Sequence, residues 1–374
     1  GHTVPSVIDL DKNRGQVSLA WRLSRLNITF KATIRHVRTG LTQAAYLSPG
    51  NSSTPIPQQV GFTWDGLLHD NGREVNAPNG EYTWDIEAAP TNGIGPAATA
   101  SGTFTVTRKA APHDYSDNGS PDLLARDSSG RLWREDTTSS PEHPDHLSET
   151  RRKLVGGGWQ IYNRIEAGGN IAGGAAGDLV ARDTAGVLWL YQGRGDGTFT
   201  TRVKIGGGWQ GYRHIAAGSD LTGDGRADLV ATDSAGALWL HTGTGNASAP
   251  FAARKKVGLR GWQTFNRIEA TGNIAGGSAG DLVARDTAGV LWLYQGRGDG
   301  TFTTRVKIGG GWNAYTHIVG ISDGNRDGRP DLFAAAPDGN TYFYQGTGST
   351  AAPFRTRNDS TVFFGMTQSY NHIA

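Results

Sequence analysis

The sequence has no cysteine and a single methionine among its 374 residues. Without thiols there are no disulfide staples and no thiolate metal sites, so packing and hydrogen bonds must hold the fold. Hydrophobic residues make up only 36% of the chain, and no apolar run is long enough to span a bilayer. An excess of one charge is missing too. The formal net charge is +2 with acids and bases interspersed, which leaves no basic stripe for nucleic acid. A soluble protein is expected, with neither nucleic acid nor membrane insertion among its partners.

Glycine is abundant, at 55 residues, and there are 11 tryptophans, 11 tyrosines and 12 phenylalanines. Short strands joined by tight turns use residues in this way. Self-comparison shows why. Residues 177–209, GDLVARDTAGVLWLYQGRGDGTFTTRVKIGGGW, recur unchanged at 280–312, with a fainter copy at 227–262 and diverged copies starting at 121 and 330. The aspartates that open the units are Asp122, Asp178, Asp228, Asp281 and Asp331, spaced 56, 50, 53 and 50 residues apart. A fixed period of this length marks stacked supersecondary units.

Each unit reads as four strands, as in YRHIAAG, ADLVATD, GALWLHTG and FAARKKVG, which is the pattern of a propeller blade. Four linkers carry a G-W turn, and the fifth copy is the C-terminal FFGMTQSYNHIA, in which Met366 replaces tryptophan. Residues Tyr370–Ile373 match Tyr162–Ile165, so the tail is expected to complete the first blade. Residues 1–108 have period-2 strands and frequent turn signals, the pattern of a β-sandwich. The expected fold is therefore all-β: a sandwich over 1–108 and a five-bladed propeller over 109–374, closed by its last strand. Trp21, Trp64 and Trp84 are expected in the sandwich core, and Trp133, Trp189, Trp239, Trp292 and Tyr342 in the core between blades.

Three loops ahead of the second strand place oxygen ligands at positions 1, 3, 5 and 9 with glycine at 6. They are Asp220, Thr222, Asp224 and Asp228; Asp323, Asn325, Asp327 and Asp331; and Asp114, Ser116, Asn118 and Asp122. Alternate oxygens on a chain doubled back by glycine suit a hard cation such as calcium, and clustered carboxylates without one repel. The frames at 170–178 and 273–281 have alanine and glycine at the middle positions. Three calcium loops and two metal-free loops are expected.

The acidic frame followed by D-L-V-A resembles the FG-GAP or VCBS repeat family of propellers. The K-I-G-G-G-W-x-x-Y stretches at 204–212 and 307–315 are similar to the tachylectin type of five-bladed lectin, which implies amino-sugar pockets between blades. On that likeness Trp159, Trp209, Trp262 and Trp312 are the candidate carbohydrate contacts, with Arg213 or Asn313 as polar neighbours. The W-D-G and N-G-E-Y-T-W stretches of residues 64–84 resemble the immunoglobulin-like domain of flagellar hook-cap proteins, a spacer in secreted bacterial proteins.

There is no G-x-S-x-G, no H-E-x-x-H and no phosphate-cradling loop opening a helix. R-G-D occurs at 194–196 and 297–299, inside hairpin tips that read as solvated turns. The expected function is a secreted, extracellular, calcium-stabilised carbohydrate-binding or cell-surface recognition module without catalysis, its partner a glycan or other surface ligand. A protein-interaction scaffold that engages other protein domains is the alternative, and a glycan-active enzyme on a propeller face the lesser one.

Overall fold

The computed structural model describes all residues except 26, 49–57, 110, 141–142, 175 and 362–369. Met366 and most of the strand-to-tail linker therefore lie outside the described residues. The chain separates into two compact units, Gly1–Lys109 and Ala110–Ala374.

The first unit has two sheets. One holds His2–Thr3, Val17–Arg22 and Gln59–Trp64, and the other is seven-stranded. The strand Ile28–His36 alternates buried and outward positions along its length, as a half-buried strand must. Its inward residues join Trp21, Trp64, Trp84, Tyr82 and Phe104 in a single apolar cluster. The three tryptophans are thus in the core. Gly102 is fixed by that packing, because a Cβ there would meet the Trp84 indole at 2.6 Å. Asn71 and Gly72, both at positive φ, turn Leu67–Asp70 into Arg73–Asn76, as an N-G hairpin requires.

The second unit contains five four-stranded antiparallel sheets among the described residues. In the second sheet the strands are Tyr162–Gly169, Asp178–Asp183, Leu188–Tyr191 and Val203–Gly206. The D-T-A-G turn between the middle strands is closed by its own aspartate: Asp183 accepts the Val187 amide at 2.9 Å and the Trp189 indole N–H at 2.8 Å. Asp233 and Asp286 repeat both bonds. The indole hydrogen bonds hold those two carboxyls below the usual carboxylate range.

The first sheet differs. Its inner strand is Tyr370–Ile373, which pairs with Asp122–Asp127 through Ala125–Ile373, Arg126–His372 and Asp127–Tyr370. Each sheet packs on the next through its own apolar cluster, and one cluster joins Phe333 and Phe343 of the fifth sheet to Leu123 and Ile373 of the first. The inner strands are also linked by hydrogen bonds. His214 Nε2 lies 3.1 Å from the Phe265 carbonyl, and His372 Nε2 lies 2.7 Å from that of Ile165. Repeated four-stranded sheets packed in this order make the unit propeller-like.

The mid-strand aromatics correct one expectation. Trp133, Trp189, Trp239, Trp292 and Tyr342 are half-buried, not core. Arginines cover their rings: Arg202 lies 4.1 Å over Trp189 and Arg305 4.1 Å over Trp292. The core between sheets is filled by Leu, Ile, Val and Ala, together with the tryptophans of the G-W turns.

Candidate functional site

The ninth residue plays one part in four of the five loop frames. Asp228 is fully buried, and its carboxylate accepts the amides of Leu221, Thr222 and Gly243 at 2.9–3.0 Å. It thereby ties its loop to the hairpin that follows the third strand. Asp281, in a frame without other acids, does the same with Ala275 and Gly296 at 2.8 and 2.9 Å. Asp178 repeats it with Ala172 and Gly193. Asp331 binds the Gly324, Asn325 and Gly346 amides, and Asp122 those of Tyr115 and Ser116.

Position 1 also closes the loop on itself. Asp220 accepts the amides of Gly223, Asp224 and Gly225, Asp323 those of Asp327 and Gly328, and Asp114 those of Asn118 and Gly119. In the middle positions, Asn118 accepts the Ser120 amide, and Asp224 and Asp327 accept those of Arg226 and Arg329. Ser116 Oγ donates to Asp122 at 3.2 Å, and Asn325 accepts the Asp327 amide at 3.1 Å. The Thr222 hydroxyl is buried beside the Asp228 carboxylate.

Among the described residues no three His, Asp or Glu side chains are grouped as a cation site. As arranged, the loops are closed by amide hydrogen bonds to their own side chains. Charge still separates them. Asp331 is pushed up to about 8 by burial, with the Asp323 and Asp327 charges adding to it. Asp281 reaches about 6, and burial is the only influence raising it.

The G-W turns form the second candidate region, at the seams where one sheet meets the next. Gly158, Gly208, Gly261 and Gly311 adopt left-handed backbone and each begins a short 3-10 turn headed by Trp159, Trp209, Trp262 or Trp312. A side chain at those glycines would be strained. The preceding sheet holds each turn: the Trp159 amide donates to the Gly130 carbonyl at 2.9 Å, and Arg182 donates to the Trp209 carbonyl, also at 2.9 Å.

The four indoles are 6–7% exposed. At the first seam a groove of about 420 Å³ opens beside Trp159, lined by Gly157, Tyr162, Tyr191, Phe199 and Arg202 among others. Trp159 lies 4.8 Å from Tyr191 and 5.4 Å from Tyr162, ring centre to ring centre. The Tyr162 and Tyr191 hydroxyls are 2.6 Å apart, and Arg202 donates to Tyr162 at 2.5 Å. This aromatic wall with a polar relay at its edge has the composition of a small-ligand site.

The same register position faces the G-W turn at each of the first four seams. It is Tyr191, His241, Tyr294 and Tyr344 at the first to fourth seams, and Glu135 at the fifth. The fourth seam repeats the first, with Tyr315 and Tyr344 hydroxyls 2.6 Å apart and Arg357 donating to Tyr315. The third has Phe265 in place of the inner tyrosine. At the fifth, Tyr370 donates to Glu135 at 3.0 Å and Arg152 Nε stands 3.2 Å from the same oxygen. Burial, followed by the Glu149 charge, pushes Glu135 up to about 8.

The two polar neighbours proposed from sequence both donate to backbone carbonyls. Arg213 donates to the Gln263 carbonyl at 3.1 Å, and Asn313 to that of Thr287 at 3.4 Å. The relay of Arg202, Tyr162 and Tyr191 was missed, although these residues recur at near-constant offsets in the repeat. In the R-G-D tip, Thr198 caps Asp196 at 2.6 Å and Arg134 donates to the Asp196 carbonyl at 3.1 Å. The first contact closes the turn and the second ties it to the first sheet.

A void between the inner strands, lined by His113, Glu166, Arg267 and Glu269, measures only about 10 Å³. That is room for about one water.

Two stretches of the chain, residues 175–231 and 278–334, match the FG-GAP-like repeat family. No curated protein matches. Among solved structures, a lectin from Agrocybe aegerita that recognises non-reducing terminal N-acetylglucosamine aligns at 16% identity over 92% of this chain and 94% of its own, with a TM-score of 0.40. The BP39L lectin of Burkholderia pseudomallei aligns at 14% identity over 88% and 91%, with a TM-score of 0.41. The Dos1 propeller aligns at 9% identity over 90% and 86%, with a TM-score of 0.29. At these values the alignments carry no information on ligands.

Proposed function

We propose that residues 110–374 form a five-bladed propeller, closed by the C-terminal strand, that binds glycans non-catalytically in the grooves between its blades. The groove beside Trp159 carries this reading. Its wall offers the half-buried rings of Tyr191 and Phe199, backed by the buried Trp159 and Tyr162, to the face of a pyranose, while Arg202 offers hydrogen bonds to ring hydroxyls. Several such grooves on one chain would bind a sugar-coated surface by avidity. Secretion and an immunoglobulin-like spacer role for residues 1–109 belong to the same reading.

Calcium enters as a stabiliser of the acidic loops and takes no part in sugar contact. Its support is the crowding of Asp323, Asp327 and Asp331, which a cation would relieve once it drew their side chains out of the amide bonds. Asp114, Ser116, Asn118 and Asp122, and Asp220, Thr222, Asp224 and Asp228, are the corresponding sets.

A glycan array tests the proposal. The intact chain should retain a defined set of glycans, and Trp209→Phe combined with Trp312→Phe should cut retention by about tenfold. Phenylalanine keeps the turns apolar, so circular dichroism should stay unchanged. Full retention by the folded double variant would remove the turns from the site.

A further inference from the structure

The second seam is built from the same parts as the first and fourth, with one exchange that leaves two polar atoms unanswered. At the first and fourth seams the inner tyrosine receives a hydrogen bond from arginine and shares a second with the facing tyrosine. The polar groups of those relays are closed on one another. At the second seam Arg254 still donates to the Tyr212 hydroxyl at 2.5 Å. The facing residue, however, is His241, which meets Tyr212 edge to face with ring centres 5.8 Å apart.

The consequence is twofold. The Tyr212 hydroxyl proton has no acceptor among the described residues, and His241 Nε2 is buried without a hydrogen-bond partner. Both residues are more than nine-tenths buried, at 7% and 8% exposure, and both pack against the Trp209 indole, His241 at 4.6 Å and Tyr212 at 5.2 Å. Burial, with Arg254 adding to it, holds the imidazole down to about 4, so at neutral pH the ring is uncharged and either donates or accepts. Buried polar atoms are as a rule satisfied. A group that accepts from one residue while donating to, or accepting from, the other would complete both.

We propose that the second seam, through Tyr212 and His241, binds a neutral sugar hydroxyl that the closed relays of the first and fourth seams do not hold, so that the residue facing each G-W turn sets what its seam recognises. This rests on the glycan reading of the seams. A hydroxyl is the smallest group able to accept from a phenol and donate to an imidazole at once. Entry requires the His241 ring to turn outward, since it now packs against the Trp209 and Phe251 rings with Nε2 buried.

The test is isothermal titration of the full chain with methyl glycosides of the common neutral hexoses and N-acetylhexosamines. One site per chain should bind more tightly than the rest. His241→Tyr inserts the residue already present at Tyr191, Tyr294 and Tyr344, so the fold accommodates it. It should rebuild the closed relay and weaken that site by roughly tenfold, leaving the total number of sites unchanged. Tyr212→Phe should do the same. An unchanged His241→Tyr isotherm, alongside a site weakened by Trp209→Phe, would overturn this inference and leave the glycan reading intact. If neither Trp209→Phe nor Trp159→Phe weakens any site, both fall.

Discussion

The loops at 220–228 and 273–281 close by the same hydrogen bonds although one holds three acids and the other a single one. Asp228 and Asp281 are both fully buried, and each accepts an amide from its own loop and another from the hairpin after the third strand. The difference lies in positions 1, 3 and 5, where Asp220, Thr222 and Asp224 face Asn273, Ala275 and Gly277. The tie to the hairpin is thus the work of the ninth residue, while position 1, aspartate or asparagine, closes the loop on itself. Any cation acts on a turn that already exists.

The largest break in this comparison should come from the shared residue. Asp228→Ala and Asp281→Ala each strand two or more buried amides, which costs roughly 3 kcal/mol or more. In chelator, thermal unfolding should show similar losses for the two variants, and calcium should widen the loss at Asp228 alone. A much smaller loss at Asp281 would mean that the two loops are held differently.

A medium effect should separate the loops. Only a chain that binds the ion when folded gains from it, by about 2.7 kcal/mol at a hundredfold excess over Kd. Melting in calcium should exceed melting in chelator, and Asp327→Ala should remove about one of three bound ions. Equal melting in both conditions would leave the acidic positions as turn residues alone.

A third effect concerns pH without divalent ions. Asp331 is raised in the folded state to about 8, from an ordinary value of 3.8. The folded state therefore binds more protons than the unfolded one across that window, and the associated stability is present below about 4 and lost as pH rises toward 8. Buried histidines act oppositely. His214 and His317 are lowered to about 4 by burial, so their contribution is present above 6.5 and lost as pH falls toward 4. Asp331→Asn should flatten the alkaline side of a melting-temperature profile taken in chelator, and leave the acid side as it was.

Much of the architecture was legible because the repeat is nearly exact. The register of Asp178–Asp183 against Leu188–Tyr191 recurs at Asp281–Asp286, and the match of Tyr370–Ile373 to Tyr162–Ile165 located the strand that pairs with Asp122–Asp127. The side-chain environment was less legible. Periodicity places Trp189 on a strand but does not say which face meets a neighbouring sheet, and it is the stacked Arg202, distant by 13 positions, that covers it. The seam chemistry was hidden for a related reason. Each groove takes one wall from a G-W turn and the other from the following unit. Identical copies at 177–209 and 280–312 therefore contribute to seams that are not identical: Trp209 faces His241, whereas Trp312 faces Tyr344.

The glycan reading is tested most directly by the indole N–H signals of the eleven tryptophans in a nitrogen–proton correlation spectrum, recorded while the best-retained array glycan is added. Trp159, Trp209, Trp262 and Trp312 should shift in proportion to occupancy. Trp133, Trp189, Trp239 and Trp292, whose indole N–H groups are bound to the turn aspartates, should remain in place. Saturable binding with no movement of the four turn signals would contradict the placement of the ligand in the seams.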